Sequence, residues 1–317
     1  MHVVPHISYM TAVILGLLQG LTEFLPVSST AHMAIVPQLF FKMDDPGSAF
    51  SAVVQLGPII AIIAYFRNDL VRYVEGIIRT KSPANVVADD MDARLGWYTL
   101  FGTIPLLIFG AVLEKKIDTQ FRHLDVIAVA LILLALVLWA AEAASKRVKT
   151  IDRISFKDSQ IIGWAQVLAL VPGASRSGVT ITAGLFLGLT REAAARFSFL
   201  LSIPAITAAG VYKLLKTLHT SHLGGDTGPF LLGALVAGLF AYVVVKWFMG
   251  FMKEHNTGLF IAYRIALGIT ILVLLHLGVV KNSSKPVEAN APATATVPVR
   301  ALVATPDGHY VSTDQSR

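Results

Sequence analysis

Six stretches of this chain, residues 48–66, 97–113, 124–143, 196–214, 229–249 and 259–280, are apolar over about the length needed to cross ~30 Å of hydrocarbon. In lipid every backbone N–H and C=O must find its partner within the protein, and only helices and closed barrels do that. Runs this long are helical. The composition agrees, because 15% charged residues is well below the about 25% of soluble domains. The expected fold is therefore all-α and polytopic, with about six transmembrane helices. An earlier apolar run near residues 10–25 lacks a basic leader and carries Glu23, so it is not read as a cleaved signal peptide. With no cysteine, disulfides and thiolate metal sites are excluded. The net charge of +6 resides in loops between spans, which points to anionic lipid headgroups and away from nucleic acid.

The loop charges predict an orientation. Residues 67–95 carry Arg67, Arg72, Arg79, Lys81 and Arg94, and residues 144–160 carry Lys146, Arg147, Lys149, Arg153 and Lys157. Two spans separate these loops, so they share a face, and the positive-inside rule makes that face cytoplasmic. The loop 114–123, with Lys115, Lys116 and Arg122, is then external, as are both termini. Residues 1–281 read as one integral membrane domain. The tail 282–317, rich in Pro, Ala and Thr, is expected to be disordered.

Two polar strings interrupt the apolar sequence, LQGLTEFLPVSSTAH at 18–32 and VPGASRSGVTIT at 171–182. An ionisable group at membrane depth costs roughly 2.5–3.5 kcal/mol on insertion scales, so function is its default reading. Pro26 and Pro172 each follow an apolar run and precede a hydroxyl cluster, and FSAVVQLGPII (50–60) aligns with FSFLLSIPAI (197–206). An odd number of spans separates the two units, which predicts an inverted-topology repeat (repeat 1 about 1–113, repeat 2 about 150–249) whose broken helices meet near the midplane. Each proline removes a backbone donor and disfavours helix before it, and Ser28, Ser29 or Thr30, like Ser175 or Ser177, can cap the next helix. Each unit is then a re-entrant hairpin.

Fresh helix N-termini favour phosphate, Arg176 offers a planar, permanently charged fork, and Gly173 and Gly178 permit close backbone approach. Gln19 and Glu23 share a helical face and suit a hard divalent cation, Mg2+ or Ca2+, completed by water and substrate phosphate. His32 is a candidate general acid, general base or nucleophile, and one of Ser28, Ser29 or Thr30 a candidate nucleophile. Taken singly, these hydroxyls read as caps, His32 as a packing residue, Arg176 as a snorkelling side chain and Gln19 as an interhelical hydrogen bond. Glu23 has no cation near it in sequence, and the joint occurrence in two breaks favours a site.

The strings resemble the signature segments of the bacitracin-resistance type of undecaprenyl-diphosphate phosphatase, an integral membrane family. Gln19 and Glu23 match its first motif, residues 24–32 the continuation FLPVSST with a small residue and His, and Pro172 through Thr180 its PGxSRSGxT motif. Ala31 and Val179 depart mildly from the usual pattern. The similarity runs to about residue 280, and the tail has no counterpart. The resemblance implies removal of the terminal phosphate of undecaprenyl diphosphate, recycling of the lipid carrier for peptidoglycan synthesis, and bacitracin resistance. It also implies a divalent cation, a multi-pass position in the bacterial inner membrane and an active site facing outward. By resemblance, Glu23, Ser29, His32 and Arg176 are catalytic, with Glu23 and Gln19 at the metal. Ser28, Thr30, Gly173, Ser175, Ser177, Gly178 and Thr180 support substrate binding. The expected partners are the polyprenyl diphosphate and membrane lipids, with a homodimer left open. Ser29 attacking with help from Glu23 competes with water activation or direct attack by His32. A polyprenyl-phosphate transporter of the same architecture is the alternative, and the phosphatidic-acid-phosphatase pattern is disfavoured because Thr182 stands where it requires histidine.

Overall fold

A computed structural model describes residues 7–43, 48–87, 89–119, 121–220, 227–282, 302–304 and 310–312. Among these, the residues up to 282 form α1 (Tyr9–Thr22), α2 (Ser29–Phe41), α3 (Ser48–Val54), α4 (Leu56–Tyr65), α5 (Arg67–Thr80), α6 (Met91–Thr119), α7 (Leu124–Ala144), α8 (Phe156–Gln166), α9 (Arg176–Phe186), α10 (Arg191–Thr220), α11 (Thr227–Glu254) and α12 (Gly258–His276). Among the described residues five helices are long and apolar enough to cross a membrane: Met91–Leu113, Leu124–Ala144, Arg191–Tyr212, Thr227–Glu254 and Gly258–His276. The sixth apolar run is the α3–α4 segment, after which α5 turns away by 75°. The chain is an all-α, multi-pass membrane protein. Within the tail expected to lack structure, β1 (Leu302–Ala304) pairs antiparallel with β2 (Tyr310–Ser312); most of the remaining tail lies outside the described residues.

The two polar strings are the breaks between α1 and α2 and between α8 and α9. Each pair is re-entrant, and the pairs enter from opposite faces. The Lys281 N–H donates to Gln38 at the end of α2, and the Leu124 N–H to the Asn282 side chain. Gly228, in the first turn of α11, lies against the Tyr9 hydroxyl at the start of α1. The first hairpin therefore begins and ends on one face. At the other face the N–H groups of Val148 and Lys149 donate to the Gly188 carbonyl, and the Thr190 N–H returns a bond to Lys149. Glu142, at the end of α7, accepts from Arg191 and Thr257. The second hairpin opens and closes there. Arg94 reaches the carbonyls of Asp152 and Ile154, so the two basic loops share this face, as the two spans between them predict.

Packing repeats the inversion. α1 lies on α11, and α8 lies on α6. Both contacts close on paired glycines. A Cβ on Gly16 would stand 2.3 Å from the Gly233 carbonyl oxygen, and one on Gly163 2.2 Å from that of Gly102. Backbones this close require small residues at the crossing. Gly163→Val is expected to destabilise the protein by about 1–3 kcal/mol through overpacking. Gly250→Val, where nothing stands within 4 Å of the new Cβ, provides the control, and thermal unfolding in detergent separates the two.

Candidate active site

Both breaks use the same backbone device. Ser28 (φ 71°, ψ 94°) and Ser175 (φ 65°, ψ 112°), 147 residues apart, each take a left-handed turn. Each then caps the next helix, Ser28 accepting from the Ala31 N–H and Ser175 from the Gly178 N–H. Non-glycine residues avoid this region at a cost of order 1–3 kcal/mol, and such strain gathers at functional sites. The device turns the first turns of α2 and α9 towards one another. Ser175 and Ser177 donate to the Leu25 carbonyl at 3.4 and 3.0 Å, and the Gly173 N–H donates to Thr30 Oγ1 at 3.2 Å. Each hairpin thus bonds to backbone of the other.

At the junction lies the buried carboxylate of Glu23, at the C-terminal end of α1. Its Oε2 accepts from Gln19 Nε2 and from Ser29 Oγ, both at 2.8 Å, and its Oε1 accepts from Arg176 Nη2 at 2.8 Å. Both members of the ion pair are largely shielded from solvent, so their mutual attraction replaces lost hydration. Arg176 Nε has no partner. That donor is enclosed as well as unpaired, a cost that the fold bears at this cluster.

His32 stands beside this cluster, with its tautomer set by its surroundings. Its Nδ1 lies 2.7 Å from the Ser28 carbonyl oxygen, which can only accept, so Nδ1 carries the hydrogen. In the neutral ring Nε2 is then the lone pair and accepts from the Tyr263 hydroxyl, 2.6 Å away. Ser29 is bonded to Glu23 instead, so the carboxylate, not the imidazole, is the base in contact with that hydroxyl.

Most of the expected residues come together: Gln19, Glu23, Ser28, Ser29, Thr30, His32, Gly173, Ser175, Arg176 and Ser177 all belong to the two breaks or the turns beside them. Thr180 does not join them. Its hydroxyl bonds back to the Arg176 carbonyl at 2.8 Å and to Ser198 Oγ at 2.6 Å, fastening α9 to α10. Gly173 does have the left-handed backbone glycine supplies (φ 93°), and its missing Cβ makes room for the Ile127 carbonyl. Gly178 serves a different neighbour from the one expected, because a Cβ there would stand 2.5 Å from Nη1 of Arg264. Arg264 and Tyr263, adjacent on α12, are site residues that the motifs do not contain. A signal for Arg264 exists in the sequence, since a lone arginine inside the apolar run 259–280 meets the same test that singles out Glu23.

A hard cation of the magnesium type would have to draw on Glu23, whose two oxygens accept from Gln19, Ser29 and Arg176 here, and on the amide oxygen of Gln19. Glu23 and Gln19 lie side by side and supply one carboxylate and one amide, the small protein share such an ion takes when phosphates and waters complete it. Among the described residues no cluster of three His, Asp or Glu side chains offers a larger cage.

The fold and this site define a polytopic membrane protein with two mirrored re-entrant hairpins converging on one charged cluster. The chain belongs to the family described as bacitracin resistance protein BacA, whose model matches residues 12–270. Among its relatives, the undecaprenyl-diphosphatase of Chloroherpeton thalassium is 46% identical over 275 residues, covering 84% of this chain and 96% of that one. That of Prosthecochloris aestuarii is 46% identical over 279 residues (86% and 98%). That of Myxococcus xanthus is 45% identical over 291 residues (90% and 97%).

Proposed function

We propose that this protein hydrolyses the terminal phosphate of undecaprenyl diphosphate to give undecaprenyl phosphate and inorganic phosphate, recycling the carrier for cell-wall synthesis and conferring resistance to bacitracin. The observation that carries the reading is the convergence of Ser29, Gln19 and Arg176 on the single carboxylate of Glu23 across the two breaks. A hydroxyl, a carboxylate and a guanidinium within one hydrogen-bonded unit support this reading. The family and the relatives' names support the substrate.

In this mechanism Arg176 and the N-terminus of α9 hold the diphosphate. Glu23 takes the proton of Ser29 as its Oγ bonds to the terminal phosphorus. The bond from that phosphorus to the bridging oxygen breaks, and undecaprenyl phosphate leaves. Glu23 gives its proton up to the departing phosphate. It then takes one from the water that attacks the phosphoserine and passes it to Ser29 Oγ as the Oγ–P bond breaks and inorganic phosphate leaves. His32, neutral and held between the Ser28 carbonyl and Tyr263, keeps the Ser28–Ser29 turn in place. A divalent cation held by Glu23 and Gln19 with the substrate's phosphates would neutralise charge on the phosphoryl oxygens. The basic face is assigned to the cytoplasm of a bacterial inner membrane, and the site opens to the opposite side.

The test is phosphate release from undecaprenyl diphosphate by purified protein in detergent, with magnesium or with chelator, beside Glu23→Gln. Metal-dependent release that the variant lacks is the expected result. A folded, lipid-binding protein that releases no phosphate under any divalent cation overturns the phosphatase and favours a transporter of the same architecture.

A further inference from the structure

Arg264 is the largest fully buried side chain among the described residues, with a relative exposure of 0%. Its Nη2 donates to the carbonyls of Gly173 and Ala174, at 3.3 and 2.9 Å, while Nε and Nη1 have no partner. No carboxylate of the described residues pairs with it. A guanidinium in that setting is costly, and the packing of Gly178 against Nη1 gives it a fixed seat.

The two breaks differ in how their carbonyls are satisfied. In the first, the Leu25 carbonyl is held by Ser175 and Ser177 of the other hairpin. In the second, the Gly173 and Ala174 carbonyls are held from outside both hairpins, by α12. Non-helical backbone at this depth needs such a partner. The residues held directly precede the left-handed turn at Ser175 that aims Arg176. The charge balance matters as well. Glu23 and Arg176 neutralise one another, so the positive charge of Arg264 is left over beside an anion site.

We infer that Arg264 is a positioning residue of the phosphate site. It holds the 173–175 break in the shape that aims Arg176 and the α9 N-terminus at the substrate, and it gives the resting cluster its net positive charge. The inference rests on the phosphatase reading for its substrate, but not for its anion.

Full-length wild type, Arg264→Met, Arg264→Lys and Gly178→Ala are compared in detergent. The readouts are kcat and KM for undecaprenyl diphosphate and the rise in Tm on adding inorganic phosphate. Arg264→Met is expected to fold, to lose about a hundredfold in kcat, as a misplaced binding group does, and to lose the phosphate-induced rise in Tm. Arg264→Lys, which keeps the charge and one donor for the two carbonyls, recovers part of both. Gly178→Ala removes no functional group but crowds the guanidinium, with Nη1 at 2.5 Å from the new Cβ, and more mildly Ser175 at 3.2 Å, so it reproduces the losses. A folded Arg264→Met with kcat within about twofold of wild type and an unchanged phosphate response overturns the inference. If Arg264→Met does not fold, the same result from Gly178→Ala does so. If wild type releases no phosphate, the phosphatase reading fails separately, and the phosphate-induced rise in Tm still decides the role of Arg264.

Discussion

Glu23→Gln is expected to lower kcat for phosphate release by about 10²–10⁴-fold, the range of a lost general base, while binding inorganic phosphate more tightly than wild type. The opposite signs come from the geometry. Glu23 accepts from Ser29, Gln19 and Arg176 at once, so it is both the base in contact with the nucleophile and an internal anion competing for Arg176. The amide keeps the size and one acceptor oxygen, but it neither takes the serine proton nor competes for the arginine. Removing one member of a buried ion pair also leaves the other uncompensated, which costs about 3–5 kcal/mol. The variant therefore melts lower without ligand, and phosphate restores more of its Tm than it adds to wild type. Parallel losses of kcat and phosphate affinity would instead make Glu23 a binding ligand only.

Arg176→Lys is expected to cost about 10²–10³-fold in kcat, the magnitude seen when one preorganised donor to a developing charge is removed, with a rise in KM. Arg176 is the first residue of α9 and comes directly after the strained Ser175 cap, so its guanidinium is directed rather than free. One nitrogen engages Glu23 while Nε remains unpartnered. Lysine keeps the charge and can satisfy Glu23, but it lacks the planar fork that binds two phosphate oxygens together. Unchanged melting with a large kinetic loss marks recognition. Steady-state kinetics beside thermal unfolding makes the distinction, and a folded lysine variant at wild-type rate sinks the phosphate-clamp role.

Much of the site is legible in the sequence because its local chemistry has local causes. The α1 and α8 helices stop short of Pro26 and Pro172, and Ser28 and Ser175 cap α2 and α9, so both breaks and their polar lining follow short-range rules. Pro37, Pro105 and Pro204, by contrast, are carried within helices. The same habit of reading along a string misplaces Thr180. It falls within the motif but one turn further along α9, where its hydroxyl turns to Ser198. The repeat is also only partly symmetric. Gln166 lies 147 residues beyond Gln19, but Leu170 occupies the position corresponding to Glu23. Only the first hairpin carries the carboxylate, so the two halves build one site rather than two.

The helical membrane fold, the two breaks and the inverted entry of the second hairpin are all written into the sequence, because hydrocarbon leaves a backbone few options and prolines act on their neighbours. Which charges meet is a matter of tertiary packing alone. Glu23 and Arg176 are 153 residues apart, and His32 and Tyr263 are 231 apart. No periodicity links such pairs. Packing of one repeat's helices against the other's brings them within hydrogen-bond distance, and burial turns that proximity into an obligation, since each unpaired charge or donor at this depth costs more than its partner's constraint.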